Sequence, residues 1–149
     1  MLGFSLVACI GFAAAAELSN VSFVFGQKKF KDGDAIIIQQ VLATSPKFAV
    51  GDKVVVRGLY QLKSKEKATL ALYLTQTGVD GREVVSPRQT MEVKEGSGPF
   101  ELVYTVAHPG ALHVTLYSIP DGKPFGGVYF GGESQMKSIA TMSLSDYEK

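Results

Sequence analysis

Residues 51–76 read GDKVVVRGLYQLKSKEKATLALYLTQ. Two apolar runs flank the charged patch Lys63-Ser64-Lys65-Glu66-Lys67. In the second run Ala68, Leu70, Leu72 and Leu74 recur at every second residue, which puts them on one face of a strand and Thr69, Ala71, Tyr73 and Thr75 on the other. The first run keeps the same step through Val54, Val56, Tyr60 and Leu62. Only Gly58 breaks it, and an isolated glycine in a strand signals a bulge or a close backbone approach. A helix competes for 68–75, because Leu and Ala favour helices intrinsically. The two-residue spacing of the leucines and the lack of a cap signal decide for a strand. The pattern predicts two long antiparallel strands joined by a lysine-rich loop. Such a ribbon cannot cover its own apolar face, so the rest of the chain has to supply a second sheet.

Upstream of this ribbon, Val21, Phe23 and Phe25 alternate with Ser22 and Val24 as a first strand over 18–25. Lys28, Lys29 and Lys31 then lead into Asp32-Gly33-Asp34, where Asp-Gly is a strong turn pair. Three consecutive isoleucines and Val41 make 35–42 a second strand with the composition of one buried on both faces. Gly51-Asp52 turns the chain into the ribbon. Downstream, 82–85 reads as a short strand and 89–93 as an edge strand, since Pro87 fits only at an edge. Residues 94–99 read as an exposed loop. Phe100, Leu102, Tyr104 and Val106 alternate cleanly, a His108-Pro109-Gly110 turn follows, and Leu112, Val114 and Leu116 form the next inward row with His113, Thr115 and Tyr117 opposite. A last, glycine-punctuated strand spans 125–132. Beyond it, 133–149 is a tail or a short helix, with Met136, Ile139 and Ala140 on one helical face.

The count is seven to nine short strands within 17–132, the pattern of an all-β, antiparallel β-sandwich. The Gly-Ser-Gly at 96–98, the strand 100–106, the Pro-Gly turn and the Leu-x-Val-x-Leu that follows resemble the late strands of immunoglobulin-like and fibronectin-type domains. The cysteine pair and tryptophan of antibody domains are absent. The resemblance implies a sandwich and brings no function with it.

The chain has 149 residues, 46% hydrophobic and 19% charged, which suits one domain with a real core and excludes a disordered chain. A formal net charge of +1 creates no field that would gather nucleic acid. Residues 1–16, MLGFSLVACIGFAAAA, read as a signal peptide. Ala14-Ala15-Ala16 fits the small-x-small rule and places the cut before Glu17. The run is too short to span a bilayer comfortably, and no other membrane span is expected. Leu6-Val7-Ala8-Cys9 resembles the lipobox of bacterial lipoproteins. The apolar stretch continues past Cys9, however, which favours ordinary cleavage over lipidation. Cleavage removes the one cysteine. An exported domain without disulfides suits a bacterial envelope better than an animal secretion, so the expected location is periplasmic or secreted.

Candidate chemistry is sparse. His108 and His113 are the two histidines, and zinc needs three or four converging ligands, so both are expected at the surface. Asp32, Asp34, Asp52, Asp80, Glu83 and Asp121 fall in expected turns. Asp32-Gly33-Asp34 is the best calcium-like fragment, but it lacks the spaced ladder of a calcium loop and reads as a simple turn. No serine stands in Gly-x-Ser-x-Gly, and Ser97 between its glycines reads as a flexible turn. No catalytic residue, metal site or cofactor is expected. For ligand binding the residues to watch are Tyr73, Tyr117 and Tyr129, which could offer aromatic surface to a sugar, although there is no Trp. The lysines at 28, 29 and 31 and at 63, 65 and 67 suit solubilised loops and protected edges. The expected function is an exported, non-catalytic module for protein–protein interaction or envelope assembly. Its partner would be another envelope or secreted protein, with 125–132 the suspected pairing edge. The second expectation is a carbohydrate- or small-ligand-binding module.

Overall fold

In the computed structural model, which describes residues 16–77 and 81–140, the strands are β1 (Ser19–Asn20), β2 (Val24–Lys29), β3 (Ala35–Ala43), β4 (Lys53–Gln76), β5 (Thr90–Thr105), β6 (Gly110–Tyr117) and β7 (Pro124–Gly131). A short helix, α1 (Glu133–Ile139), closes the described chain, and a single 3₁₀ turn, Pro87–Gln89, precedes β5. The seven strands form one antiparallel sheet in the order β1-β3-β4-β6-β7-β2, with β5 also paired to β4. The protein is mostly β and antiparallel, as its sequence implies, but the sheet is a curled half-barrel rather than two separate stacked sheets. The signal-peptide reading of 1–16 lies almost wholly outside the described residues, as does 141–149. Among the described residues no helix is long and apolar enough to cross a membrane.

The curl comes from β4. The two runs predicted to form a hairpin are one continuous strand of 24 residues. Straight, it would reach ~80 Å, far beyond the ~14 Å radius of gyration expected of a domain this size, so it has to bend. The bend falls at the lysine-rich patch, where the register with β5 shifts between Leu62 and Lys67. Leu62 and Ala68 are fully buried on either side of it, while Lys63, Ser64, Glu66 and Lys67 are exposed. The buried Asp34 pins the bend. Its carboxylate accepts the backbone N–H of Lys63 at 2.8 Å and of Ser64 at 3.0 Å, and the Ser64 hydroxyl at 2.5 Å. These are the amides that the register break deprives of ladder partners. On β5 the matching adjustment occurs at Gly96, whose φ of +120° suits only glycine. The stretch 94–99 expected as a loop is therefore strand.

Before the bend β4 lies between β3 and the second half of β5; after it, between the first half of β5 and β6. The two halves face each other across one core. Ile36, Ile38, Val54, Val56, Phe100, Leu102 and Tyr104 come from one half, and Leu70, Leu72, Leu112, Val114, Leu116, Val128 and Phe130 from the other. Gly58 is a close approach, as its isolation in the pattern implied. A Cβ there would collide with the carbonyl oxygen of Ile37, next to the register shift between Ile38 and Gln40.

Other expectations change. The strand expected over 18–25 is broken: β1 ends at Asn20, Val21 keeps one backbone bond to the Val41 carbonyl at 3.1 Å, Val21 and Phe23 pack on the core, and pairing resumes in β2. β3 is buried on one face only, with Ile37 56% exposed between buried Ile36 and Ile38. Residues 82–85 form no strand. The strand expected over 125–132 is not an edge, because β7 lies between β6 and β2. The 133–139 helix exists, and its Met136 and Ile139 pack with Ala111 and Tyr129 on the outer face of β6 and β7.

Candidate functional site

Two surfaces leave aromatic side chains partly exposed. The first is the seam between β2 and β3. β2 pairs only with β7, while β3 pairs with β4 along one side and on the other meets β1 at Leu42 and Ala43 and the Val21 amide at the Val41 carbonyl. The half-barrel is therefore open there. Phe25 lies opposite Phe130, and Lys28 opposite Val128, so both belong to the inward side of β2. Phe130 is fully buried, yet Phe25 remains 56% exposed because no strand lies over it. Ile36 and Ile38 of β3 and Val128 of β7 floor the opening, and Lys28 stands at its rim. Across β3 and β4, Ile37 faces Leu59, also exposed, on the outer side. Three consecutive isoleucines gave no sign that Ile37 would be the exposed one, and the open edge beside it is a property of sheet order that leaves no mark in the sequence.

The second surface is the outer face of the other half of the sheet, where the strand alternation put Tyr73 and Tyr117. These two meet edge to face with ring centroids 5.5 Å apart. They line a cleft of about 460 Å³ with Thr69, Glu92 and the loop from Ser118 to Gly122. Burial raises the Tyr73 phenol above its ordinary pKa. Tyr129 does not join them. It is 9% exposed, packs beneath α1, and shares a 2.7 Å hydrogen bond with the Thr75 hydroxyl. Its ring and hydroxyl are engaged within the fold, away from the Tyr73–Tyr117 pair.

The remaining candidates settle into structural roles. His113, expected at the surface, is buried against Tyr129 at 5.0 Å, and its Nδ1 shares a 2.7 Å hydrogen bond with Thr115. Desolvation lowers its pKa to about 4. Asp52 organises the turn that precedes β4, accepting from the Ser45 hydroxyl at 2.6 Å, the Ala49 amide at 2.8 Å and the Thr44 hydroxyl at 3.0 Å. Burial pushes the Asp52 carboxyl up, but those bonds and the charge of Lys47 outweigh it and leave the group below the usual carboxylate range. That turn seats Phe48, 1% exposed at a φ of +49°, against Phe130. Glu83 accepts the Tyr104 hydroxyl, and burial together with that carboxylate raises the phenol's pKa. Asp121 holds the Ser118 hydroxyl in its own loop. Asp80 lies outside the described residues. Lys31 and Lys65 lie over the Phe125 ring, with their ammonium groups 6.0 and 5.0 Å from its centroid. The two lysine groups thus help to cap one end of the core. Among the described residues no group of three or more His, Cys, Asp or Glu is placed to hold a metal ion. No protein-family model, no curated protein and no solved structure matches the chain.

Proposed function

We propose that the chain is an exported, non-catalytic interaction module of a bacterial cell envelope, released by cleavage after residue 16, that binds another envelope or secreted protein through the seam. One observation carries the reading: Phe25 faces inward on an edge strand and is still exposed. An extended segment laid along the seam would hydrogen-bond to the free edges of β2 and β3 and bury Phe25, which is strand addition to an open sheet edge. The partner segment would carry apolar side chains at alternate positions, to meet Phe25 and the isoleucines. It would also carry one carboxylate for Lys28, since alternate residues of a strand share a face. On this reading the half-barrel is an opened variant of an immunoglobulin-like sandwich, its two halves standing where two sheets would.

The test is site-specific photocrosslinking in the native cells, with the probe at Phe25, at Ile37, and at Lys94 as an exposed control away from the seam. The reading expects one protein adduct from the seam positions and none from Lys94. Its crosslinked peptide should be an extended, alternating segment with an acidic residue, and Lys28→Glu should reduce the adduct several-fold. Equal adducts from all three positions, or none, would contradict it.

A further inference from the structure

We propose that the Tyr73–Tyr117 cleft is a separate binding site for a saccharide ring. The strand register builds it. Glu92, Thr69 and Tyr117 stand side by side across β5, β4 and β6. The next outer-face row holds the small residues Ala71 and Thr115, both fully buried. Tyr73 follows in the row after. Small side chains between them let the two rings lean together over the sheet. Both tyrosines are half-buried, so each ring is held by the sheet and keeps part of its surface open to the cleft.

The opposite wall is ordered in advance. The Ser118 amide donates to the Lys123 carbonyl at 2.8 Å, the Gly122 amide donates to the Ser118 carbonyl at 2.8 Å, and the Ser118 hydroxyl bonds Asp121. Helix α1 covers the outer face around Tyr129 and Ala111 but leaves this part open. A space of about 460 Å³ accommodates one or two sugar rings.

The chemistry of the lining selects the ligand. Aromatic faces take the apolar C–H face of a pyranose. The Glu92 carboxylate and the Thr69 hydroxyl stand beside them to exchange hydrogen bonds with ring hydroxyls. A wholly apolar peptide would strip water from those groups without replacing it, and the carboxylate opposes a phosphate-bearing ligand. Two tyrosines without a tryptophan imply weak binding, with a Kd on the order of 1 mM.

The test is a titration of isotope-labelled protein with glucose, galactose, N-acetylglucosamine and cellobiose, followed by amide chemical shifts. At least one sugar should give saturable shifts centred on Thr69, Tyr73, Glu92, Tyr117 and Ser118. Tyr117→Ala should weaken binding at least tenfold, while Tyr117→Phe, which keeps the ring, should retain most of it. If Tyr117→Ala loses the dispersed spectrum of a folded protein, Glu92→Gln at an exposed position carries the test, with a loss of at least threefold expected. No saturable shift with any of the four sugars, or binding unchanged in the ring-deleted variant (or, where that fails to fold, in Glu92→Gln), overturns the proposal. Phe25→Asp, at the seam, should leave sugar binding unchanged, so this site and the seam stand or fall separately.

Discussion

His113 shows how a residue on a polar-looking face becomes part of the interior. Across the strands it lies between Tyr73 and Tyr129, and it is 7% exposed. Its folded pKa of about 4 lies below the ordinary histidine value of 6.5. Between these values the unfolded chain binds the proton and the folded chain does not, so stability rises with pH across that window. The contribution is fully present above pH 6.5 and is lost as pH falls towards 4, by about 3 kcal/mol in all. Urea denaturation at pH 7 and pH 5 should therefore show a lower midpoint at pH 5 in the native protein. His113→Gln should remove most of that difference. Asp52 and Glu101 are held below the usual carboxylate range, Glu101 chiefly by its hydrogen bond from Arg57, so the stability these two contribute is lost at lower pH, as pH falls through the carboxylate range. The alternation of β6 put His113 opposite the inward leucines correctly. It carried no sign that α1 and Tyr129 would cover that face, because the cover arrives from residues 16 and more positions away.

At the scale of the element, the central strand depends on Asp34 and Gly58. Asp34→Ala leaves two backbone amides and a hydroxyl without their acceptor at the bend of β4, at an expected cost of about 2–4 kcal/mol. Residue-resolved hydrogen exchange should locate the loss, with the Lys63 and Ser64 amides exchanging faster than the rest of β4. Gly58→Ala drives a methyl group into the Ile37 carbonyl and should cost about 2–3 kcal/mol, read as a lower thermal midpoint with the fold retained. The Val and Leu alternation that builds β4 was legible in residues 53–62 and 68–76. The bend was misread as a loop because exposed, charged residues fit either one. A discriminating signal was present: of the residues that tight turns favour, Lys63-Ser64-Lys65-Glu66-Lys67 contains only Ser64 and no Gly, Pro, Asn or Asp. The Asp-Gly pair at 32–33 was read correctly as a turn, but the anchoring role of Asp34 depends on a contact about 30 residues away.

At the scale of the whole molecule, antiparallel β-structure could be read from alternation and turn spacing, and the way the sheet closes could not. Closure depends on which strands become neighbours, and the order β1-β3-β4-β6-β7-β2 leaves β2 and β3 as the two sides of an opening. The adjacent tyrosines on the outer face were accessible from the pattern because Tyr73 and Tyr117 both fall on the polar side of strands that pair directly. The exposed Phe25 looked like any other apolar strand residue. Strand addition at the seam requires that the seam be open in the protein alone, and amide exchange and cross-strand NOEs measure that directly. An open seam predicts no Hα–Hα contacts between β2 and β3. It also predicts alternating protection along residues 36–40, with the amides that donate to β4 slow and those that face the seam fast. Uniform protection of 36–40, together with NOEs joining β2 to β3, would mean a closed barrel with no free edge to offer a partner, and would contradict the account.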